Sequence, residues 1–303
     1  MNVERCSGTV VTIPFGKHKI DGLFYHISPA EKHFENRPVI LRIHGVMGNL
    51  LDDSQHHLSH IFASEGYSSL TMNNLLSNLG VMFGFGLFDQ TIPQIDRACD
   101  FLRESGFKKI IIAGHGIGGC LAVRYGALRD DPEQYSDIKG VIAVATPYSL
   151  PETIQRRWDR FGSNPTYDEV YKRAQKLFGP DYENTDLSDE TVMINRAHGA
   201  SLRPHHSDVY TLKTWWELAN PEAESTQTHK QIAVIQKPLL LVHAQHDDVI
   251  ERRRDEDLGK VALEAGNPDV TVTFIDAGHT FTSKQTELGQ IIVKWLFERF
   301  EQD

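Results

Sequence analysis

The chain has 303 residues, 40% hydrophobic and 24% charged, with a net charge of −10. That length accommodates one α/β core plus an insertion, and the negative charge excludes a basic surface that tracks nucleic-acid phosphates. Acids interrupt the two basic runs, "QRRWDR" and "ERRRDED", so both read as solvated faces.

Three isolated cysteines, Cys6, Cys99 and Cys120, lack CxxC or metal-type spacing, which fits reduced thiols in a cytoplasmic protein. The opening "MNVERCSGTVV" has no basic region followed by a long apolar run, so no signal peptide is expected. "LGVMFGFGLF" is too short and too glycine-rich to span a bilayer and reads as a pocket wall or lid. There is no internal repeat.

In chain order, "GTVVTIPF" and "GLFYHIS" predict an edge hairpin. "RPVILRIHG" predicts a buried strand ending in glycine. "DDSQHHLSHIFASEGY" predicts an amphipathic helix capped by Asp53 or Ser54, followed by the strand "SSLTMNN". "TIPQIDRACDFLRESG" predicts a helix closed by Gly106. Next come a strand, "KKIIIAG", a helix, "GGCLAVRYGALR", and a strand, "KGVIAVATP". From about 148 to 236 the chain is aromatic, charged and proline-punctuated and reads as a helical cap. The alternation resumes with the strand "KPLLLVHAQHDD", the helix "ERRRDEDLGKVALEAG", the strand "DVTVTFIDAGH" and the helix "QTELGQIIVKWLFERF". The expected fold class is α/β: a mainly parallel sheet with helices on both faces, its core formed by 1–147 and 237–303.

The stretch from Gly114 to Gly119 has two readings. Gly114-x-Gly116-x-x-Gly119 between strand and helix spells a dinucleotide fingerprint. However, several strands precede it, and the next strand ends "AVATP" with no acid at its tip. Asp130, Asp131 and Glu133 fall before that strand. No nucleotide, flavin or metal is therefore expected.

The second reading rests on four pieces in order. His44-Gly45-Val46-Met47-Gly48 follows a buried strand, and Gly114-His115-Gly116-Ile117-Gly118-Gly119 joins a strand to a helix. Asp247 follows the strand after the insertion, and His279 sits in "FIDAGHTF" after the last strand. Together these resemble the α/β-hydrolase superfamily, over most of the chain outside the insertion. The resemblance implies that His279 is a general base held by Asp247, with Asp248 as the neighbouring alternative. Gly116 falls in the nucleophile slot. Oxyanion donors are expected from Ile117 N–H, at a helix N-terminus, and from Val46 or Met47. Substrate contacts are expected at His44, Gly45, His115, Phe83, Phe85 and Trp215. The implied activity is hydrolysis of an ester, thioester or related acyl bond in a medium-sized, partly apolar small molecule. No nucleic-acid partner and no membrane span are expected.

The departure is Gly116, which has no oxygen to attack with. Cys120 lies a turn into the helix and reads as packing. The leading explanation is a serine-hydrolase site with its nucleophile replaced by glycine. A second is a natural binding protein, resembling the N-myc downstream-regulated family. A third is serine-free chemistry with His279 as base, as in a lyase or cyclase.

Other histidines carry plainer readings. His56 and His60 share a helix face at a metal-capable spacing, yet no third ligand is evident. His205 and His206 fall in the insertion, and His243 and His246 flank the acid strand. The aromatics Trp158, Tyr167, Tyr171, Tyr210, Trp215 and Trp216 read mainly as the insertion's own core, with some facing a cleft.

Overall fold

Runs of β-branched and aliphatic residues build the centre of the sheet, and their burial shows why these runs do not alternate with polar residues. The computed structural model describes residues 8–27, 36–45, 48–77, 86–161, 163–178, 190–196, 206–250 and 257–301. Strands β3 (Val39–Ile43), β5 (Ile110–His115), β6 (Ile138–Val144) and β10 (Leu239–Ala244) are buried almost throughout. Val39, Leu41 and Ile43 join one hydrophobic cluster, whereas Ile40 joins another. Successive side chains thus enter opposite layers, as a strand covered on both faces requires.

One layer contains α1 (Asp53–Ser64) and α9 (Gln285–Phe300), which pack together. The other contains α2 (Ile92–Glu104), α3 (Ile117–Leu128), α7 (Thr228–Ile232) and α8 (Leu258–Glu264). β1 (Gly8–Phe15) and β2 (His18–Tyr25) form the expected edge hairpin. With β4 (Ser69–Met72) and β11 (Val270–Ile275), the eight-stranded order is β1-β2-β4-β3-β5-β6-β10-β11. Every pairing is parallel except those of β2.

This order places the functional loops. From β3 the chain crosses to β4 on one side, and β5 then returns to pair with β3 on the other. The carboxyl ends of β3 and β5 therefore flank a topological switch point, where open α/β sheets leave a crevice.

Two details differ from the sequence reading. The cap residue of α1 is Asp52, one position before the expected Asp53 or Ser54. The segment between β6 and β10 is not only helical. Besides α4 (Leu150–Phe161), α5 (Tyr167–Phe178), α6 (Leu212–Ala219) and α7, it forms an antiparallel sheet of β7 (Ser163–Asn164), β8 (Thr191–Arg196) and β9 (His206–Thr211). The stretch that reads as helix at "SDVYTLKTWWELA" is a strand up to Thr211, whose side chain then caps α6 by accepting from Thr214 N–H. Trp158, Tyr167 and Trp215 pack edge to face or tilted at 5.5–5.9 Å, and instead of a separate core they form one cluster continuous with the core on that face of the sheet.

No helix among the described residues is long and apolar enough to cross a membrane. Of the helix expected from Glu251, residues 251–256 lie outside the described part, and Asp257 caps α8.

Backbone approaches backbone closely at the turn from β5 into α3. A side-chain carbon at Gly118 would collide with the carbonyl oxygens of Ile43 and His44, which are backbone atoms and cannot swing away. Gly118→Ala is therefore expected to lower stability by about 3 kcal/mol, the upper range for overpacking a core. Urea unfolding monitored by circular dichroism measures it; an unchanged midpoint would contradict this account of the turn.

Candidate active site

The first wall of the site grows from the end of β3. Asn74 N–H donates to His44 Nε2 at 3.2 Å, so the proton resides on Nδ1, which donates to the Gly45 carbonyl at 2.7 Å. His44 is 1% exposed. Expected at the substrate, it is buried at the end of β3, its carbonyl lies against Gly118 of α3, and it is not among the residues that line the cleft. Gly48 N–H closes the turn onto Gly45 O at 3.1 Å. The expected oxyanion donors Val46 and Met47 lie outside the described residues, as do Phe83 and Phe85.

The second wall is the β5–α3 turn. Gly116 has φ 58° and ψ −121°, a conformation that L side chains adopt only under strain. Its N–H donates to Val144 O at 2.9 Å, and its carbonyl accepts from Gly119 and Cys120 N–H. Gly116 caps α3, so the first helical N–H groups, beginning with Ile117, have no partner within the helix. They present partial positive charge to the cleft, where Ile117 is a lining residue.

The third component is an acid–base pair. Asp247 Oδ2 lies 2.9 Å from His279 Nδ1. Its other oxygen accepts N–H groups of Val249 at 2.9 Å and Ile250 at 2.7 Å. Burial opposes ionisation of Asp247, but the hydrogen bond and charge of His279, with the two backbone donors, outweigh it. They hold the carboxyl below its ordinary value. Asp248, the alternative acid, is exposed. With Nδ1–H given to Asp247, the lone pair of His279 is on Nε2, which has no hydrogen-bond partner among the described residues. A Cβ placed at Gly116 would lie 3.5 Å from this Nε2 and 3.8 Å from Cε1. Apart from the glycine's chain neighbours, nothing else described comes within 4 Å of that point.

The lowered pKa of Asp247 has a consequence of definite sign for stability. A carboxyl acidified by folding contributes stability above its unfolded value of 3.8, and that contribution is lost as pH falls through the folded value. Asp247→Asn is expected to be less stable than the unmodified chain at pH 7, with the gap narrowing below about pH 4. Urea titrations at several pH values measure the gap, and a constant difference would contradict the assignment.

His115 links the second and third components. Its Nε2 donates to the backbone carbonyl of His279 at 2.8 Å, and the two rings lie 4.6 Å apart. Burial, then the neighbouring His279, push His115 down to about 4, so the ring is neutral and acts as a strut.

These parts meet in one cleft of about 680 Å³. Gly45, His115, Gly116, Ile117 and His279 line its floor. Leu150, Ile154, Trp158, Tyr210 and Trp215 supply an apolar wall from the inserted segment, and Gln55, Thr282 and Gln285 a polar one. Of the expected substrate contacts, Gly45, His115 and Trp215 thus reach the cleft. Trp158 and Tyr210, two of the aromatics expected in part at a cleft, also line it, whereas Leu150, Ile154 and Gln285 carry no signature in the sequence beyond ordinary amphipathic spacing.

Cys6 and His205 lie outside the described residues, and most of the other candidates are accounted for by packing. Cys120 is buried, accepts from Thr228 Oγ1 at 3.2 Å, and burial pushes its thiol up to about 12. Cys99 is likewise a buried free thiol. His56 and His60 share the Tyr25 hydroxyl at 3.3 and 3.5 Å. His246 pairs with Asp276 on the surface, and His243 is buried beside Phe274. Among the described residues no three His, Cys, Asp or Glu side chains cluster in a metal-type group.

With this geometry established, comparison with known proteins is direct. The chain resembles Est1E from Butyrivibrio proteoclasticus at TM-score 0.64 and 16% identity, over 96% of this chain and 98% of that one. It resembles the esterase Pf2001 of Pyrococcus furiosus at TM-score 0.62 and 16% identity, covering 97% and 91%. A thioesterase domain from the curacin biosynthetic pathway matches at TM-score 0.57 and 17% identity, covering 96% and 99%. At these identities the likeness is one of fold. Comparison with curated protein sequences finds no match. The family model described as serine aminopeptidase S33, Hydrolase_4, matches residues 36–279, so the chain belongs to that family and has the α/β-hydrolase fold.

Proposed function

We propose that this chain is an acyl-ester hydrolase scaffold in which glycine stands at the nucleophile position. It binds a medium-sized, partly apolar ester or thioester beneath residues 148–236, which act as a cap. One observation carries the reading: the position a side chain would take at 116 faces the free Nε2 of an Asp247-oriented His279, 3.5 Å away. A hydroxyl on that carbon would be within hydrogen-bond reach of the base. The carbonyl oxygen of a bound ester would take Ile117 N–H at the head of α3, with a second donor from Val46 or Met47. The cleft volume and its mixed walls suit one small-molecule acyl substrate. Supporting the ester class are the esterase and thioesterase neighbours, and one structure of Est1E has ferulic acid bound. As written, the sequence does not form an acyl-enzyme at 116. The test is Gly116→Ser assayed on chromogenic esters of graded acyl size, beside His279→Ala in the same background.

A further inference from the structure

Glycine at 116 supplies no nucleophile, but the acid–base pair and the helix N-terminus beside it are in place. A binding scaffold has no use for a histidine whose Nδ1–H is anchored on a buried carboxylate while Nε2 faces the cleft without a partner among the described residues. Nor does it need that carboxylate to be held by two further backbone N–H groups. The pair is 10% and 14% exposed at its side chains, so it is withdrawn from solvent, which costs free energy unless the charge is used or fully compensated. The space in front of Nε2 is also specific. Among the described residues, and apart from its chain neighbours, the Cβ position at 116 meets only the imidazole, and its φ of 58° suits glycine without strain. A water molecule is about the size of the hydroxymethyl group that serine would place there. Unlike that group it is untethered, so it settles at hydrogen-bonding distance from the base.

We infer that the unmodified chain hydrolyses acyl esters directly, with His279 activating a water that occupies the side-chain position of Gly116. The inference rests on the proposed binding of acyl esters in this cleft. Nε2 takes a proton from the water as its oxygen forms a bond to the carbonyl carbon. The carbonyl electron pair moves onto its oxygen, which Ile117 N–H at the start of α3 stabilises. When the tetrahedral adduct collapses, the carbon–oxygen bond to the alcohol breaks and the departing oxygen takes the proton from Nε2. Acid and alcohol leave, and His279 is restored. No covalent bond to the protein forms at any point. Asp247 acts through His279, fixing the tautomer that leaves Nε2 free and stabilising the cation it becomes.

The experiment compares four forms on 4-nitrophenyl acetate, butyrate and benzoate: the unmodified chain, His279→Ala, Gly116→Ala and Gly116→Ser. General-base help contributes about a hundredfold or more, so the unmodified chain is expected to exceed His279→Ala by that factor. Gly116→Ala, whose methyl fills the water position, should fall towards His279→Ala. Asp247→Asn should show the same direction of loss, and serves if His279→Ala fails to fold. Mass spectra of quenched reactions should show an acyl adduct on Gly116→Ser and none on the unmodified chain. If Gly116→Ser turns over while the unmodified rate equals that of His279→Ala, the direct reaction is overturned and the hydrolase reading stands. An acyl adduct on the unmodified chain also overturns it. If Gly116→Ser is silent but the unmodified rate depends on His279, the direct reaction is upheld and the serine-type reading falls. If all forms are equally inactive, both fall.

Discussion

Gly116→Ser is expected to raise ester hydrolysis at least about a thousandfold over the unmodified chain. Loss of the serine from a complete triad costs roughly 10⁶ in kcat, so a thousandfold return allows for imperfect placement. Placement is nonetheless favoured by the geometry. The elbow already holds φ 58° and ψ −121°, and the new Cβ meets no atom closer than 3.5 Å outside its chain neighbours. No rearrangement of backbone is needed for the hydroxyl to find Nε2. The substitution has a cost in stability, because a side chain at this φ is strained by about 1–3 kcal/mol. The variant should therefore be more active and less stable at once. Steady-state kinetics and thermal unfolding on the same sample measure both. A folded Gly116→Ser that is silent on every ester would remove the hydrolase reading while leaving the fold intact.

Asp247→Asn, made in that serine background, is expected to lower kcat by about 10⁴ with little change in KM. Asparagine retains the size of the side chain and an oxygen for the Val249 and Ile250 N–H groups, so the loop should keep its shape. What changes is the group facing His279 Nδ1, now 2.9 Å from a carboxylate oxygen. An amide N–H there prefers an unprotonated Nδ1, which moves the imidazole proton to Nε2 and removes the base from the cleft. The amide also carries no charge to stabilise the imidazolium that forms during the reaction. The effect thus belongs in the chemical step and not in binding. A loss of tenfold or less, with folding unchanged, would show that Asp247 does not orient the base.

The sequence exposes those parts of the fold whose local pattern is determined by short-range geometry. β5, its glycine turn and α3 are visible because a close approach of backbone to backbone admits only glycine at Gly118, and an aliphatic run marks a strand buried on both faces. Asp247 and His279 are visible because each lies in a short loop directly after a strand of the same sheet. β8 and β9 are not visible: "TVMINR" and "HSDVYT" are short and pair with each other rather than with the eight-stranded sheet, so no long buried aliphatic run marks them. His44 was placed by its position after β3 but not by its orientation, which Asn74 and Gly45 decide across 30 residues of sequence. The lining by α4 is a matter of how the inserted segment lies on the sheet, and periodicity within the helix does not encode that.

The attachment of that segment has a consequence for how such a protein diversifies. It leaves the sheet after β6 and returns at β10, and these two strands are direct neighbours. Replacing the stretch from α4 to α6 need not disturb the ladder on either side, nor the turn at Gly116 and the pair at Asp247 and His279; α7, which packs on α3 and whose Thr228 donates to Cys120, stays with the core. The apolar wall and the floor of the cleft are therefore separable inheritances. One stretch of chain can be exchanged while the geometry at Gly116, Asp247 and His279 is carried forward unchanged.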